Sequence, residues 1–219
     1  MKKSIVEERI CSPDFPYLKP WFYNNPYALR CELGIGDTDE AYMRNARKRA
    51  FEIYHILFPN GADAIFFDRW IDDYCTNGRP MGEDWENPDE IIESTVEYEM
   101  RRLRFLLEYE YRYRHMTLRN LQTYDEPGDE DFDAVRRNRV VCFSDGIGFD
   151  YEKLIDQQLD GSYDVSFVSF EHECIFSVYD DRGCDVVFMT REKMKEFYHR
   201  LQPYFLEYDR EEMAKRYGS

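Results

Sequence analysis

No stretch of this chain approaches the roughly 20 consecutive apolar residues that a membrane-spanning helix requires. Its start, Met1-Lys2-Lys3 followed by Ser4-Ile5-Val6-Glu7-Glu8-Arg9, interrupts any apolar run with acids, so no secretory leader is expected there. Positive charge is also scarce. Lys and Arg number 29 against 45 Asp and Glu, a formal net charge of -16, which argues against nucleic acid and anionic membranes as direct ligands, because both are held through Lys/Arg surfaces. There is no CxxC pair. Cys11, Cys31, Cys75, Cys142, Cys174 and Cys184 are scattered, mostly among bulky apolar residues, and read as reduced core thiols of a cytoplasmic protein.

Catalytic motifs are missing as well. The chain has neither a Gly-x-Ser-x-Gly elbow nor a catalytic-cysteine signature. Ser144-Asp145-Gly146-Ile147-Gly148 resembles a phosphate loop in its glycines. It lacks the Gly-Lys-Ser/Thr ending and the third glycine of a dinucleotide fingerprint, so it reads as a strand-to-helix turn. His172, Glu173, Cys174 and Cys184 could meet across a hairpin as soft metal ligands, but no second Cys/His pair completes a tetrahedral set. No cofactor and no metal is therefore expected.

What the chain does have is length, aromatic rings and acids. At 219 residues, with 18 Tyr and 16 Phe, it can bury a substantial core as a single domain over residues 1–219. Residues 1–26, rich in Pro and aromatics (Phe15-Pro16-Tyr17, Lys19-Pro20-Trp21-Phe22), read as an irregular segment packed on the body. Tyr27 to Leu33 reads as a strand. Thr38 or Asp39 caps a helix whose buried stripe is Met43, Ala46, Ala50, Ile53, Tyr54 and Leu57, with Arg44, Arg47, Lys48 and Arg49 facing mostly outward; Pro59-Asn60-Gly61 stops it. Ala62 to Trp70 reads as a strand, followed by a polar loop over 72–87.

Ile92, Val96, Met100, Leu103 and Leu107 recur at helical spacing and predict a helix to about Leu107. Beyond it Tyr109, Tyr111 and Tyr113 alternate with charged residues at the strand period, and the two periods leave helix or strand open for 108–114. Asp125 to Asp131 has the composition of a mobile acidic loop. Arg139 to Phe143 reads as a strand and Tyr151 to Leu159 as a helix, and there is no internal repeat.

The stretch Cys174 to Met189 places two apolar runs around Asp180-Asp181-Arg182-Gly183. This is a tight antiparallel hairpin with Gly183 expected at positive φ. Tyr163 to Phe170 precedes it as the first strand of a β-meander. Thr190 can cap a helix from Arg191 to Gln202 with Met194, Phe197, Tyr198 and Leu201 on its buried face, ended by Pro203. Asp209-Arg210-Glu211-Glu212 reads as a capping box opening a last helix to Tyr217. Partial segregation of strands and helices argues α+β, with a largely antiparallel sheet backed by helices.

Three of these pieces carry a family likeness. Leu29-Arg30-Cys31-Glu32-Leu33-Gly34, with Cys31 in place of an aromatic residue, Tyr179-Asp180-Asp181-Arg182-Gly183-Cys184-Asp185, and Tyr208-Asp209-Arg210-Glu211-Glu212 resemble the bacterial family known only as DUF3885. They frame residues 27–217, with a poorly matched middle over 71–133. The resemblance implies a fold and brings no substrate, cofactor or catalytic residue with it.

Two sets of residues remain as candidate sites. Glu83, Asp84, Trp85 and Glu86 in one acidic segment, and Asp129, Glu130 and Asp131 in another, place carboxylates beside aromatic rings, which suits steering and then anchoring of a basic protein partner. That favours a non-enzymatic interaction protein, in its most specific form an immunity protein occluding a basic toxin. The competing reading is an enzyme or small-ligand protein in which Arg30, Glu32, Asp180, Asp181 and Arg182 converge in a cleft.

Overall fold

The computed structural model describes residues 4–17, 19–71, 111–123, 134–161 and 165–218. Within them seven strands make one sheet: β1 (Ala28–Glu32), β2 (Ala64–Ile71), β3 (Arg112–Thr123), β4 (Ala134–Phe143), β5 (Val165–Ser169), β6 (Cys174–Asp180) and β7 (Gly183–Phe188). Their order across the sheet is β1-β7-β6-β5-β2-β4-β3, and every neighbouring pair is antiparallel. The described α-helices are α1 (Ile5–Ile10), α2 (Trp21–Asn24), α3 (Asp39–Leu57), α4 (Tyr151–Leu159), α5 (Arg191–Leu201) and α6 (Arg210–Gly218). The chain is α+β, with an antiparallel sheet backed by helices, and β5-β6-β7 is the expected meander. Among the described residues no helix is long and apolar enough to cross a membrane.

Side chains alternate across a strand, so register decides which face each residue meets. Phe167 and Phe176 lie opposite each other on β5 and β6, and both meet Tyr54 of α3, with ring centroids at 5.2 and 6.5 Å. Tyr54 in turn stacks on Tyr151 of α4 at 4.2 Å. On the same face Phe188 of β7 stacks on Phe197 of α5 at 5.5 Å. The opposite face is covered by the N-terminal segment, where Phe15 and Trp21 meet Phe66 of β2 edge-on at 6.0 and 6.1 Å.

That second face also buries an ion pair. Asp68 of β2 stands opposite Arg139 of β4, joined by two bonds, Nε to Oδ1 at 2.7 Å and Nη2 to Oδ2 at 2.8 Å. The side chains are 0% exposed for Arg139 and 1% for Asp68. The guanidinium carbon sits 3.9 Å from the ring centroid of Phe15 and 4.0 Å from that of Phe66. Its Nη1 is buried with no hydrogen-bond partner among the described residues.

The helices start where side-chain caps are available. Thr38 Oγ1 accepts from Ala41 N at 3.2 Å and Thr190 Oγ1 from Lys193 N at 3.3 Å, each satisfying an amide that the helix leaves open. Ala46, Ala50, Ile53, Tyr54 and Leu57 are buried on α3 as expected, with Met43 of the expected stripe only partly buried, and Met194, Phe197, Tyr198 and Leu201 are buried on α5. Arg49 departs from its expected outward face. It donates from Nε to Glu32 O at 2.8 Å and from Nη2 to Tyr204 O at 3.3 Å, because the end of β1 presents carbonyls beside it.

Three further expectations are corrected and one open choice is decided. Residues 1–26 are not irregular throughout: Ser4 caps α1 by accepting from Val6 N, and Val6 and Ile10, four apart, bury one face of it. From Arg112 on, strand wins over helix, since pairing with β4 supplies partners for the backbone; residues 108–110 lie outside the described residues. The capping box before α6 does not form: Glu212 accepts from Arg216 at 3.1 Å, while Asp209 turns toward Arg30. Gly183 is not at positive φ. A two-residue connection, Asp181-Arg182, joins Asp180 to Gly183, with a register shift after Val178. A Cβ on Gly183 would collide with the Tyr179 hydroxyl and come within 2.7 Å of Cys31 O. Glycine is required there by close approach, not by backbone angle.

Candidate functional site

The cluster expected at the 180–183 turn divides in two. Arg30 lies opposite Asp185 in the β1–β7 register and donates to it from Nε at 2.8 Å and from Nη2 at 3.1 Å. Phe22 N donates to the same carboxylate at 3.1 Å. The rings of Phe22, Tyr23 and Tyr179 surround the guanidinium at 4.9, 4.6 and 5.3 Å. Burial pushes the Asp185 carboxyl above its ordinary range, opposed by the bond from Arg30 and the Phe22 amide. Asp209 Oδ2, 3.9 Å from Arg30 Nη1, is buried without a hydrogen-bond partner among the described residues.

Arg182 instead lies at the exposed turn and closes on Asp180, with its amide bonding Oδ1 and its Nε bonding Oδ2, both at 2.8 Å, and Nη2 reaching Oδ2 as well. Asp181 is half-buried in the turn beside it. Glu32, at the end of β1, offers its backbone oxygen to Arg49. Glu83, Asp84, Trp85, Glu86, Asp129, Glu130 and Asp131 lie outside the described residues.

A different set of loops encloses a cavity of about 390 Å³ at one end of the sheet. Its walls come from three connections: α3 to β2, β4 to α4, and β5 to β6. They contribute Phe58, Asp63, Ser144, Ile147, Glu171 and His172 among others. Asp63 ties all three connections together. Its amide donates to Val168 O and its carbonyl accepts from Ser144 N, both at 2.9 Å, and its Oδ2 accepts from Phe170 N at 2.6 Å.

His172 is equally fixed. Its amide donates to Ser169 Oγ at 3.0 Å, and its Nδ1 lies 2.7 Å from Leu57 O. A carbonyl can only accept, so Nδ1 carries a proton and Nε2 is the nitrogen left for other partners. The ring packs on Phe197 at 4.9 Å.

The loop over 144–148 earns its glycines. Gly146 and Gly148 have φ of 87° and 83°, and a Cβ on either would meet nothing within 4 Å, so backbone angle and not crowding selects glycine there. Among the described residues the non-glycine positions at positive φ are Asp145 (44°) and Glu173 (49°), both in connections bordering this cavity. Arg112 holds Asp145 through two bonds of 2.8 and 2.9 Å, which keeps that carboxyl below its ordinary range. Tyr111 anchors the other end by donating to Gly148 O at 2.6 Å.

The strand-to-helix turn at 144–148 is thus as expected, but its association with Asp63 and His172 was not readable. The only local signal was an acid directly after Gly61-Ala62 and a histidine at a strand junction. His172, Cys174 and Cys184 do not assemble with other ligands: among the described residues no group of three His, Cys, Asp or Glu could hold a metal ion. Cys11, Cys31, Cys142, Cys174 and Cys184 are buried, and Cys75 lies outside the described residues.

Neither a curated protein nor a solved structure matches the chain. A family does. The domain of unknown function (DUF3885) matches over residues 10–209, a span that takes in the opening strand, the β6–β7 hairpin and the Asp209 junction, and the chain belongs to that family.

Proposed function

We propose that this is a non-enzymatic interaction protein whose partner is a basic protein, and in its most specific form an immunity protein that occludes a basic toxin in the cytoplasm. What supports the reading is how the fold uses its arginines. Arg30 closes on Asp185, Arg47 on Asp156, Arg112 on Asp145, Arg139 on Asp68 and Arg182 on Asp180. Arg9 and Arg200 reach backbone oxygens. Cations engaged in this way are poor recognition groups for a phosphate or a nucleic acid. The excess of acids behind the net charge of -16 then sets the sign of the long-range field, which draws in a basic surface.

Contact is assigned to Glu83, Asp84, Trp85 and Glu86 and to Asp129, Glu130 and Asp131 on the strength of the sequence. The carboxylates would raise the association rate and Trp85 would anchor the complex. After capture of a partner from the native host, binding kinetics at low and high salt test this. Neutralising the acids to Asn or Gln should slow association about tenfold or more at low salt, whereas Trp85→Ala should mainly speed dissociation. Association indifferent to both salt and the substitutions would sink the proposal.

A further inference from the structure

We infer that the cavity between the 58–63, 144–148 and 169–172 connections binds an organic cation, an ammonium or guanidinium group carried on a short alkyl stem. This goes beyond the basic-partner reading and can fail or survive without it.

The sign of the ligand follows from the walls. Asp63 has its Oδ2 engaged by Phe170 N, which leaves Oδ1 for a ligand, and Glu171 lines the cavity from an exposed position. His172 offers Nε2, since Nδ1 is held by Leu57 O, and Ser144 adds a hydroxyl. Among the described residues no Lys or Arg lines the cavity. The nearby Arg112 is turned onto Asp145. An anion would face two carboxylates with no counter-charge, whereas a cation would meet acceptors on several sides.

The stem follows from the apolar wall and the size. Phe58 is buried and Ile147 is 55% exposed, so the two offer hydrocarbon at the back and at the rim. A volume of about 390 Å³ falls in the range of small-ligand sites. The walls are also held in place before any ligand arrives, by the Asp63, His172, Tyr111 and Arg112 bonds described above, which lowers the ordering cost of binding.

Such a group could belong to a free small molecule or to an Arg or Lys side chain of a protein. Titration of the full chain with agmatine and, separately, with a capped Gly-Arg-Gly peptide distinguishes the two, read by calorimetry and by backbone amide shifts. At least one probe should saturate with a Kd of about 1 mM or tighter, moving the amides of Gly61, Gly146 and Gly148. Tighter binding of agmatine assigns a free metabolite, and tighter binding of the peptide assigns a side chain.

Glu171→Gln alters an exposed residue and should weaken the preferred probe by about fivefold. Asp63→Asn keeps an oxygen for the Phe170 amide and should weaken it at least as much, with folding checked by thermal melting. The inference is overturned if neither probe saturates, if the shifts map away from these loops, if Glu171→Gln leaves affinity unchanged, or if a neutral urea analogue of agmatine binds equally well.

Discussion

Removing the carboxylate of Asp68 should be among the most destabilising single changes this fold can suffer. Asp68→Ala leaves the Arg139 guanidinium charged, out of water and between the rings of Phe15 and Phe66, which offer only a partial substitute for a carboxylate. Breaking a buried pair in this way costs about 3–5 kcal/mol, a large fraction of the ~5–15 kcal/mol by which domains are ordinarily stable. Arg139→Met keeps most of the volume and the contact with both rings, yet it takes the bidentate cation away from the buried Asp68 carboxylate and should also be destabilising. The double change Asp68→Leu with Arg139→Met removes both charges and keeps the space filled. It should recover most of the loss, leaving the two sites coupled by about 2 kcal/mol or more. Urea unfolding followed by circular dichroism, with the slope held constant across the variants, gives the three free energies. If each single change costs under about 1 kcal/mol, or if the double change costs the sum of the singles, the buried pair does not organise this face as argued.

Four further outcomes are expected. Gly183→Ala should lower stability by about 1–3 kcal/mol through overpacking against Tyr179 and the Cys31 carbonyl, and a melting temperature equal to wild type would contradict the close approach. Iodoacetamide should leave Cys11, Cys31, Cys142, Cys174 and Cys184 unlabelled in the native protein, since all five are buried and burial raises the Cys174 and Cys184 thiols. Denaturation without reductant should release all 6 cysteines as thiols; mass spectrometry that finds fewer would place the chain in an oxidising environment. For Asp145, the link to Arg112 makes the folded carboxyl more acidic than the unfolded one, so its contribution to stability is present above the unfolded midpoint and fades as pH falls through the folded one. Carbon-detected NMR titration should place that midpoint below the ordinary aspartate range in the wild type, moving up in Arg112→Gln; an unmoved midpoint would discount the pairing.

Local chemistry made the helices legible. Threonine caps at Thr38 and Thr190, with apolar residues three and four apart behind them, are short-range signals that tertiary structure had no reason to override. The β6–β7 hairpin was legible for the same reason, because a turn sequence between two apolar runs is a local instruction. Its glycine was misread, since the constraint on Gly183 comes from Cys31 on another strand and from Tyr179 folding over the turn. The site residues were less accessible. Arg30 and Asp185 are 155 residues apart and Asp68 and Arg139 are 71 apart, so both pairs exist only once the sheet order is known. The cavity needs three separate connections at one end of the sheet, and nothing in Ser144 to Gly148 announces Asp63 or His172 as neighbours.

The position of β1 has a consequence for how the chain is made. Among the described residues it is the first strand, yet its one neighbour in the sheet is β7, and its outer side is met by an isolated bridge from Cys31 to Phe205. Arg216, near the other end of the chain, then fastens the region by donating to the carbonyls of Phe22, Asn25 and Ala28. During synthesis residues 28–32 emerge well before residues 183–187, with which they pair. Closing a loop of that length is entropically costly and favours slow, late docking. Until then that strand is an edge without its β7 partner, and a truncation ahead of residue 183 would keep it in that adhesive state permanently.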